Sequence, residues 1–220
     1  MQVLILAMIN ACVGKHPLFP VQYKRLMTIN TNYMPNLNSP RLILTPIDNQ
    51  FILSNIEVFI QALSALKFIG RELTSSENYR CFEIGDDFLH RITFLGCSPT
   101  LFSANNTDSD TFISIAQNQH VQFGHSSTIP PARCPHCRKT DKSWQQYFQR
   151  WNKNSGAEET CPNCNETFNF SDMKWKKNGG YGKLFIQTHG VQEQLAIPNQ
   201  SFMDELQSIT HTNWEYFFAE

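Results

Sequence analysis

Two Cys-Pro-x-Cys sequences constrain this 220-residue chain more than any other feature. The first, CPHC, begins at Cys134, and the second, CPNC, begins at Cys161. Two residues between the cysteines fold into a tight turn, a knuckle, that brings both sulfurs within reach of one ion. Four thiolates at about 2.3 Å complete a tetrahedral shell with no open position. The spacing predicts one structural zinc ion bound by Cys134, Cys137, Cys161 and Cys164.

This arrangement resembles the four-cysteine zinc-ribbon motif over about residues 133 to 185. The 23 residues between Cys137 and Cys161 exceed the common ribbon spacing of about 15 to 20. Four aromatic residues at helical spacing predict a short helix that bridges the knuckles: Trp144, Tyr147, Phe148 and Trp151. Packing of these rings is favoured over stacking on bases, because so small a module has little core of its own.

Other chemistries of the cysteines are disfavoured. CPHC is also a disulfide-oxidoreductase sequence, but redox chemistry leaves the second pair without a role. Iron–sulfur ligation by the same four sulfurs stays an alternative. His136 is expected to be an exposed knuckle residue, since four thiolates already satisfy the ion. The odd total of seven cysteines, four of them in two pairs, argues against a disulfide framework and for a reducing, cytoplasmic location.

No catalytic set emerges from the remaining residues. Cys81 and Cys97 are interpreted as small buried hydrophobes. The carboxylates of Glu83, Asp86 and Asp87 are a candidate cluster for acid–base or metal chemistry, although a solvated turn is the better interpretation. No Walker, Rossmann or HExxH pattern is present.

Local patterns predict several strands and two further helices. A capping box from Ser54 to Glu57, helical apolar spacing and Gly70 as a stop predict a helix over about 55 to 69. A second helix is expected from Ser201, with Phe217 continuing its apolar face. The predicted strands are 41–47, 79–84, a central strand over 88–95, 111–116, 120–123, and a hairpin of 184–188 with 191–197 around His189-Gly190.

These elements indicate an α+β protein, a mixed helix and sheet domain followed by a zinc ribbon, a hairpin and a C-terminal helix. The expected divisions are 1–26, an apolar N-terminal segment; 27–128, the α+β domain; 129–183, the zinc-ribbon module; and 184–220, the hairpin and helix. Residues 126–132 form the expected linker.

No apolar run reaches the roughly 18 residues that cross a bilayer, so no membrane partner is expected. The longest run, Val3 to Val13, is interrupted by Asn10. Three interpretations of this segment stay open: a secretory leader, a buried strand, or an upstream extension with Met27 as the working start.

Charge is distributed unevenly along the chain. Residues 133 to 183 carry ten Lys and Arg against five acids, a local charge of +5, and the rest of the chain carries −6. Basic and aromatic residues on an expected flexible turn form a candidate nucleic-acid contact: Lys174, Trp175, Lys176, Lys177, Tyr181 and Lys183. An ordinary solvated turn is the competing interpretation.

Three functions are consistent with these features. The leading one is a non-catalytic zinc-ribbon protein that binds nucleic acid or a protein of the nucleic-acid machinery, by fold-level analogy. The second is a protein–protein adaptor or inhibitor in which zinc is purely structural. The third is an enzyme with a site in the N-terminal domain. The sequence favours a non-enzyme and leaves the oligomeric state open.

Overall fold

A computed structural model of the chain describes residues 36–37, 39–76, 79–95, 111–126, 132–191 and 195–219. The strands are β1 (Arg41–Pro46), β2 (Ile69–Ser75), β3 (Tyr79–Ile84), β4 (Ile92–Phe94), β5 (Ile113–His125), β6 (Glu158–Thr160), β7 (Thr167–Asn169), β8 (Gly179–His189), β9 (Ala196–Pro198) and β10 (Trp214–Ala219). The helices are α1 (Ile56–Ala65), α2 (Phe88–Arg91), α3 (Trp144–Lys153) and α4 (Gln200–Thr210). The α+β class is therefore confirmed.

Six strands form one antiparallel sheet in the order β10-β1-β8-β5-β3-β2. Helices α1 and α4 bury their apolar residues against one face of it, in a core that includes Phe59, Leu63, Phe202 and Leu206. The opposite face carries a smaller apolar cluster around Phe185 and Phe217. None of the described helices is long and apolar enough to cross a lipid bilayer.

Helix α1 occurs where the sequence predicts a helix, but Asn55 caps it instead of Ser54. The Asn55 side chain accepts hydrogen bonds from two backbone N–H groups of the first turn, which have no partner within the helix. The helix ends at Ala65, short of the predicted residue 69. Gly70 is not its stop, because this glycine lies in β2, a strand that the sequence did not predict.

The expected central strand over residues 88–95 is wrong. The chain forms α2 and then β4, which pairs with β9 outside the six-stranded sheet. Phe88 and Ile92 are both buried and lie four residues apart, whereas Leu89 is exposed. Phe88 faces the core from α2, and Ile92 faces it from the first position of β4, so the apolar residues that suggested one two-sided strand belong to a helical turn and a short strand.

Gly85, which precedes α2, leaves no room for a side chain. A Cβ there would lie 2.0 Å from the backbone carbonyl oxygen of Lys67, and backbone cannot move aside as the end of a flexible side chain can. We expect Gly85→Ala to lower the free energy of unfolding by about 1 to 3 kcal/mol, the usual cost of overpacking. Denaturant unfolding measures it. The control is Gly156→Ala, whose Cβ would meet only Asn154, at 3.5 Å; equal losses in both variants would contradict the account.

The predicted hairpin of 184–188 with 191–197 is also wrong. Strand β8 pairs with β1 on one side and β5 on the other, so it has no free edge for a third partner. Gly190 turns the chain with a φ of 75°, and β9 then pairs with β4. The strands expected over 111–116 and 120–123 are parts of the single strand β5, whose pairing with β8 shifts register between Gln117 and Gln122.

Strands β5 and β8 flank the cysteine-rich segment in the chain. His125 pairs with Gly179 at the end of this ladder, and the described residues 132–178 that follow form what we call the cysteine-rich module. The six-stranded sheet therefore takes strands from both sides of the module. The predicted domain bounds stay predictions.

The C-terminal helix is confirmed, but it is shorter than expected. Asn199 caps α4, and the helix ends at His211, which adopts a left-handed φ of 57°. Phe217 lies on β10, an edge strand paired with β1, and not on the helix. The expectations for residues 1–26, most of the linker and Cys97 lie outside the described residues.

Candidate metal centre

The two knuckles fold in the same way. In the first, the Cys134 N–H donates to the Lys139 carbonyl at 3.0 Å, and the Arg138 N–H donates to the Cys134 carbonyl at 3.0 Å. In the second, Cys161 and Asn165 make the equivalent bonds at 3.0 and 2.9 Å. Arg138 and Asn165 both adopt φ 59°, the left-handed conformation. Each knuckle thus turns its backbone back on itself and presents two sulfurs on one side.

The four predicted ligands meet at one point. Their sulfur atoms all lie within 4.8 Å of one another. Across the knuckles, Cys134 Sγ is 3.9 Å from Cys164 Sγ and Cys137 Sγ is 3.8 Å from Cys161 Sγ. A tetrahedral ion with thiolate bonds of about 2.3 Å requires sulfurs about 3.8 Å apart. The observed distances fit a single metal ion, and the four cysteines are free thiols without disulfides.

The local electrostatics favour a thiolate at Cys161. Burial acts to raise the pKa of this thiol, but the backbone N–H groups of Asn163 and Cys164 favour the thiolate, and the pKa is lowered to about 7. The Asn163 N–H lies 3.4 Å from Cys161 Sγ. N–H groups aimed at sulfur stabilise negative charge. Cys161 is therefore the sulfur of the set that favours the thiolate, whereas burial raises the pKa of Cys134, and burial with the neighbouring thiols raises that of Cys164.

His136 lies outside the sulfur cluster and ties the two halves of the module together. Its side chain is exposed, and Nε2 is 3.0 Å from the carbonyl oxygen of Thr167. That carbonyl belongs to β7, directly after the second knuckle. His136 therefore has a structural contact of its own in place of a ligand role.

The predicted bridging helix is confirmed as α3, and its aromatic residues pack. Tyr147 and Trp151 are buried, whereas Trp144 and Phe148 are half-buried. The ring of Trp151 is 5.6 Å from Phe170, measured between centroids. These rings belong to the same apolar cluster as Cys134 and Cys161, so the helix supports the knuckles.

Two of the predicted nucleic-acid contacts, Trp175 and Tyr181, are buried in that cluster. Trp175 is 4% exposed and Tyr181 is 7% exposed. Trp175 Nε1 donates to the Tyr181 hydroxyl at 2.6 Å, and that hydroxyl donates to the Phe170 carbonyl at 2.6 Å. In this conformation neither ring offers a face to a base. Their assignment as stacking residues is corrected accordingly, because the module needs both rings for its core.

The predicted flexible turn is reduced to residues 176–178, and its glycine-rich part is the start of a strand. Gly179 begins β8, and Gly180 is buried beneath Phe217. A Cβ at Gly180 would lie 2.5 Å from two atoms of the Phe217 ring. The glycines therefore permit close packing of the sheet rather than chain mobility.

The four predicted lysines differ in their surroundings. Lys174, Lys176 and Lys177 are exposed, and Lys183 is half-buried on β8. Lys177 Nζ lies 3.7 Å from the centre of the Tyr216 ring and donates to the Tyr216 carbonyl at 3.1 Å. Burial lowers the pKa of Lys177. Lys177 therefore joins the module to β10, and it is the least available of the four for a ligand.

Arg133 is a neighbour of Lys174 that the sequence did not single out. The two residues face each other in an antiparallel bridge, with N–H to carbonyl distances of 3.1 and 3.2 Å in the two directions. Side chains of directly opposed residues lie on the same side of a ladder. Both are exposed. The sequence shows the charge of Arg133 but not this pairing across 40 residues.

Three of the five acidic side chains of the module form hydrogen bonds or ion pairs with other residues of the module. Asp141 is buried and accepts a hydrogen bond from the Tyr147 hydroxyl at 2.9 Å. Glu159 is buried and pairs with Arg150 at 2.5 Å. Asp172 accepts a backbone N–H in a capping box. Among the described residues, Arg150 is the only basic side chain of the module with a carboxylate within 4.0 Å. The module surface is thus more basic than its composition indicates.

The acidic residues of the N-terminal region form no compact site among the described residues. Glu83 pairs with Arg71 at 2.5 Å on the surface, and Asp86 is exposed. Cys81 is buried, and burial, with the charge of Glu72, raises its pKa to about 12. A thiol held neutral in this way is a poor nucleophile.

No protein-family model matches this chain, and neither the curated proteins nor the solved structures contain a match to it.

Proposed function

We propose that this is a non-catalytic zinc protein whose cysteine-rich module binds nucleic acid through an exposed basic surface. The surface consists of Arg133 and Lys174, which face each other across a bridge, and of the exposed Lys176. Binding to a protein of the nucleic-acid machinery would use the same residues.

Zinc is the ion that best suits the donor set. Four thiolates with no open position are typical of structural zinc sites, which hold a fold together and leave no place for a substrate. A multi-iron cluster requires that sulfurs bound to different irons lie further apart than 4.8 Å, the distance within which all four sulfurs of this site lie. The zinc would be bound by Cys134, Cys137, Cys161 and Cys164.

The observation that carries the nucleic-acid proposal is the pairing of Arg133 with Lys174. Like charges placed directly opposite each other in a ladder destabilise it, and no carboxylate of the described residues lies within 4.0 Å of either cation. A phosphate backbone would neutralise both. The four-thiolate zinc centre carries a net charge of about −2, but its sulfurs are buried or half-buried.

The experiment is a titration of fluorescent single-stranded and duplex DNA and RNA with the zinc-loaded protein at several salt concentrations. Each phosphate contact contributes about 0.7 to 0.9 to the slope of log affinity against log salt. We expect the double variant Arg133→Gln, Lys174→Gln to reduce that slope by about 1.4 to 1.8. Anisotropy of the labelled strand measures the affinity.

A matched control removes two cations from the main sheet region. Lys67→Gln with Arg71→Gln makes the same change in net charge, and these residues lie at the end of α1 and on β2. This control should keep the slope of the wild-type protein. Absence of binding at low salt, or an equal loss of slope in both double variants, would overturn the proposal and favour the adaptor function.

A further inference from the structure

The face of the sheet opposite α1 and α4 contains a pocket of about 310 Å³. Its floor comes from β1, β5 and β8, and its apolar wall includes Ile43 and Phe185. No Asp or Glu is among the described residues that line it, but one arginine, Arg41, is. The pocket is therefore a polar site with a positive charge and no protein anion.

Strand register brings the polar groups of the floor together. Arg41 on β1 lies opposite His189 on β8, and Gln187 on β8 lies opposite Ser114 on β5. Side chains of opposed residues, and of residues two apart along a strand, share one face of a sheet. These four side chains therefore form a continuous polar patch, all of it lining the pocket.

Arg41 is incompletely satisfied by the protein. Its Nη1 donates to the carbonyls of Leu37 and Ser39 at 3.0 and 3.3 Å, but its buried Nε has no hydrogen-bond partner among the described residues. No carboxylate of the described residues lies within 4.0 Å of the guanidinium. Burial lowers the pKa of Arg41. A cation withdrawn from water without an anion is costly, and a bound anion would remove that cost.

His189 supports ligand binding and not nucleophilic catalysis. Its Nε2 is 2.8 Å from the Ser114 hydroxyl, the spacing of a nucleophile and its base. Burial, together with the positive charge of Arg41, lowers the pKa of His189 to about 3. An imidazole with so low a pKa is a weak general base at neutral pH. The Ser114 hydroxyl at Nε2 and the Ser39 hydroxyl, 3.4 Å from Nδ1, instead hold a neutral imidazole in place beside Arg41.

We propose that this pocket binds a small organic molecule through an oxyanion, a carboxylate or a phosphate group. Arg41 supplies the charge, Gln187 supplies a neutral hydrogen-bonding group, and the walls at Ile43 and Phe185 contact the carbon skeleton. The site is separate from the Arg133–Lys174 surface and does not depend on nucleic-acid binding.

The test measures the thermal unfolding midpoint of the full zinc-loaded chain in two separate titrations, one with inorganic phosphate and one with succinate. Ionic strength is kept constant with chloride. A ligand that binds only the folded state raises the midpoint in a saturable way. We expect saturation with at least one of the two probes, and the probe that saturates identifies the preferred oxyanion.

Two variants locate the site. Arg41→Gln removes the cation. Gln187→Glu adds a carboxylate to the floor with almost no change of shape, so it tests anion binding even if Arg41→Gln does not fold. Each should weaken binding at least about tenfold. Arg71→Gln and the Arg133→Gln, Lys174→Gln double variant should bind the probe as the wild-type protein does. No saturable rise with either probe, or wild-type affinity in Gln187→Glu, would overturn the proposal.

Discussion

Replacing Cys134 with serine is expected to abolish stoichiometric metal binding and to unfold the cysteine-rich module. Structural zinc sites contribute about 10 to 16 kcal/mol of apparent binding free energy to folding, and both Cys134 and Cys161 belong to the apolar cluster of the module. Loss of one sulfur therefore removes the ion and opens the cluster. Hydrogen exchange should show loss of protection in α3, the helix between the knuckles.

The control for this substitution is Cys81→Ala, which also removes a buried thiol. Cys81 lies on β3, in the six-stranded sheet and away from the four sulfurs. This variant should lose some stability but keep its metal and the protection of α3. Unchanged metal content in Cys134→Ser would show that the site assignment is wrong.

The second large effect is expected at Trp151. This side chain is 5% exposed and packs against Phe170 and Tyr181, so Trp151→Ala should lower the free energy of unfolding by about 3 to 5 kcal/mol. Trp144→Ala should cost less, because Trp144 is only half-buried. Denaturant unfolding of the zinc-loaded proteins measures both.

The difference between these two variants tests whether burial, and not aromatic character alone, sets the cost. Both residues are tryptophans on the same helix, so their helix propensities are equal. A small loss in Trp151→Ala, or a larger loss in Trp144→Ala, would contradict the packing described for α3.

The metal site was predictable because its information is local. Two residues between cysteines favour the knuckle turn. The spacing of the aromatic residues from Trp144 to Trp151 matches the helical period of 3.6 residues. Only the contact between the two knuckles joins residues that are distant in sequence, and one ion bound by four thiolates requires that contact. The prediction of α4 succeeded for the same local reason.

The strands were harder to predict from the sequence, because strand formation depends on pairing partners that are distant in the chain. Residues 214–219 are apolar enough to continue a helix, yet they form the edge strand β10 because the left-handed His211 ends α4 and β1 offers a free edge. The glycines of β8 resemble a loop in sequence. They lie in a strand because Phe217 fills the space that side chains would occupy. A short stretch of sequence contains neither β1, the partner of β10, nor Phe217, the partner of the β8 glycines.

The basic surface shows the same limit. The charge count along the chain indicated a basic segment, but only the structure shows which of its residues are available to a ligand. Trp175 and Tyr181 are buried, Lys177 is hydrogen-bonded to Tyr216, and Arg133 pairs with Lys174 in a bridge. The polar pocket beside Arg41 depends on three strands that are distant in sequence. Its residues have no motif in common, so only the fold brings them together.

The zinc content of the purified, full-length chain tests the central claim most directly. Elemental analysis combined with native mass spectrometry should find one zinc ion per chain, lost on chelation together with the protection of α3 and regained when zinc is restored. A chain that contains no metal, contains iron in place of zinc, or retains its folded module after the metal is removed would contradict the account.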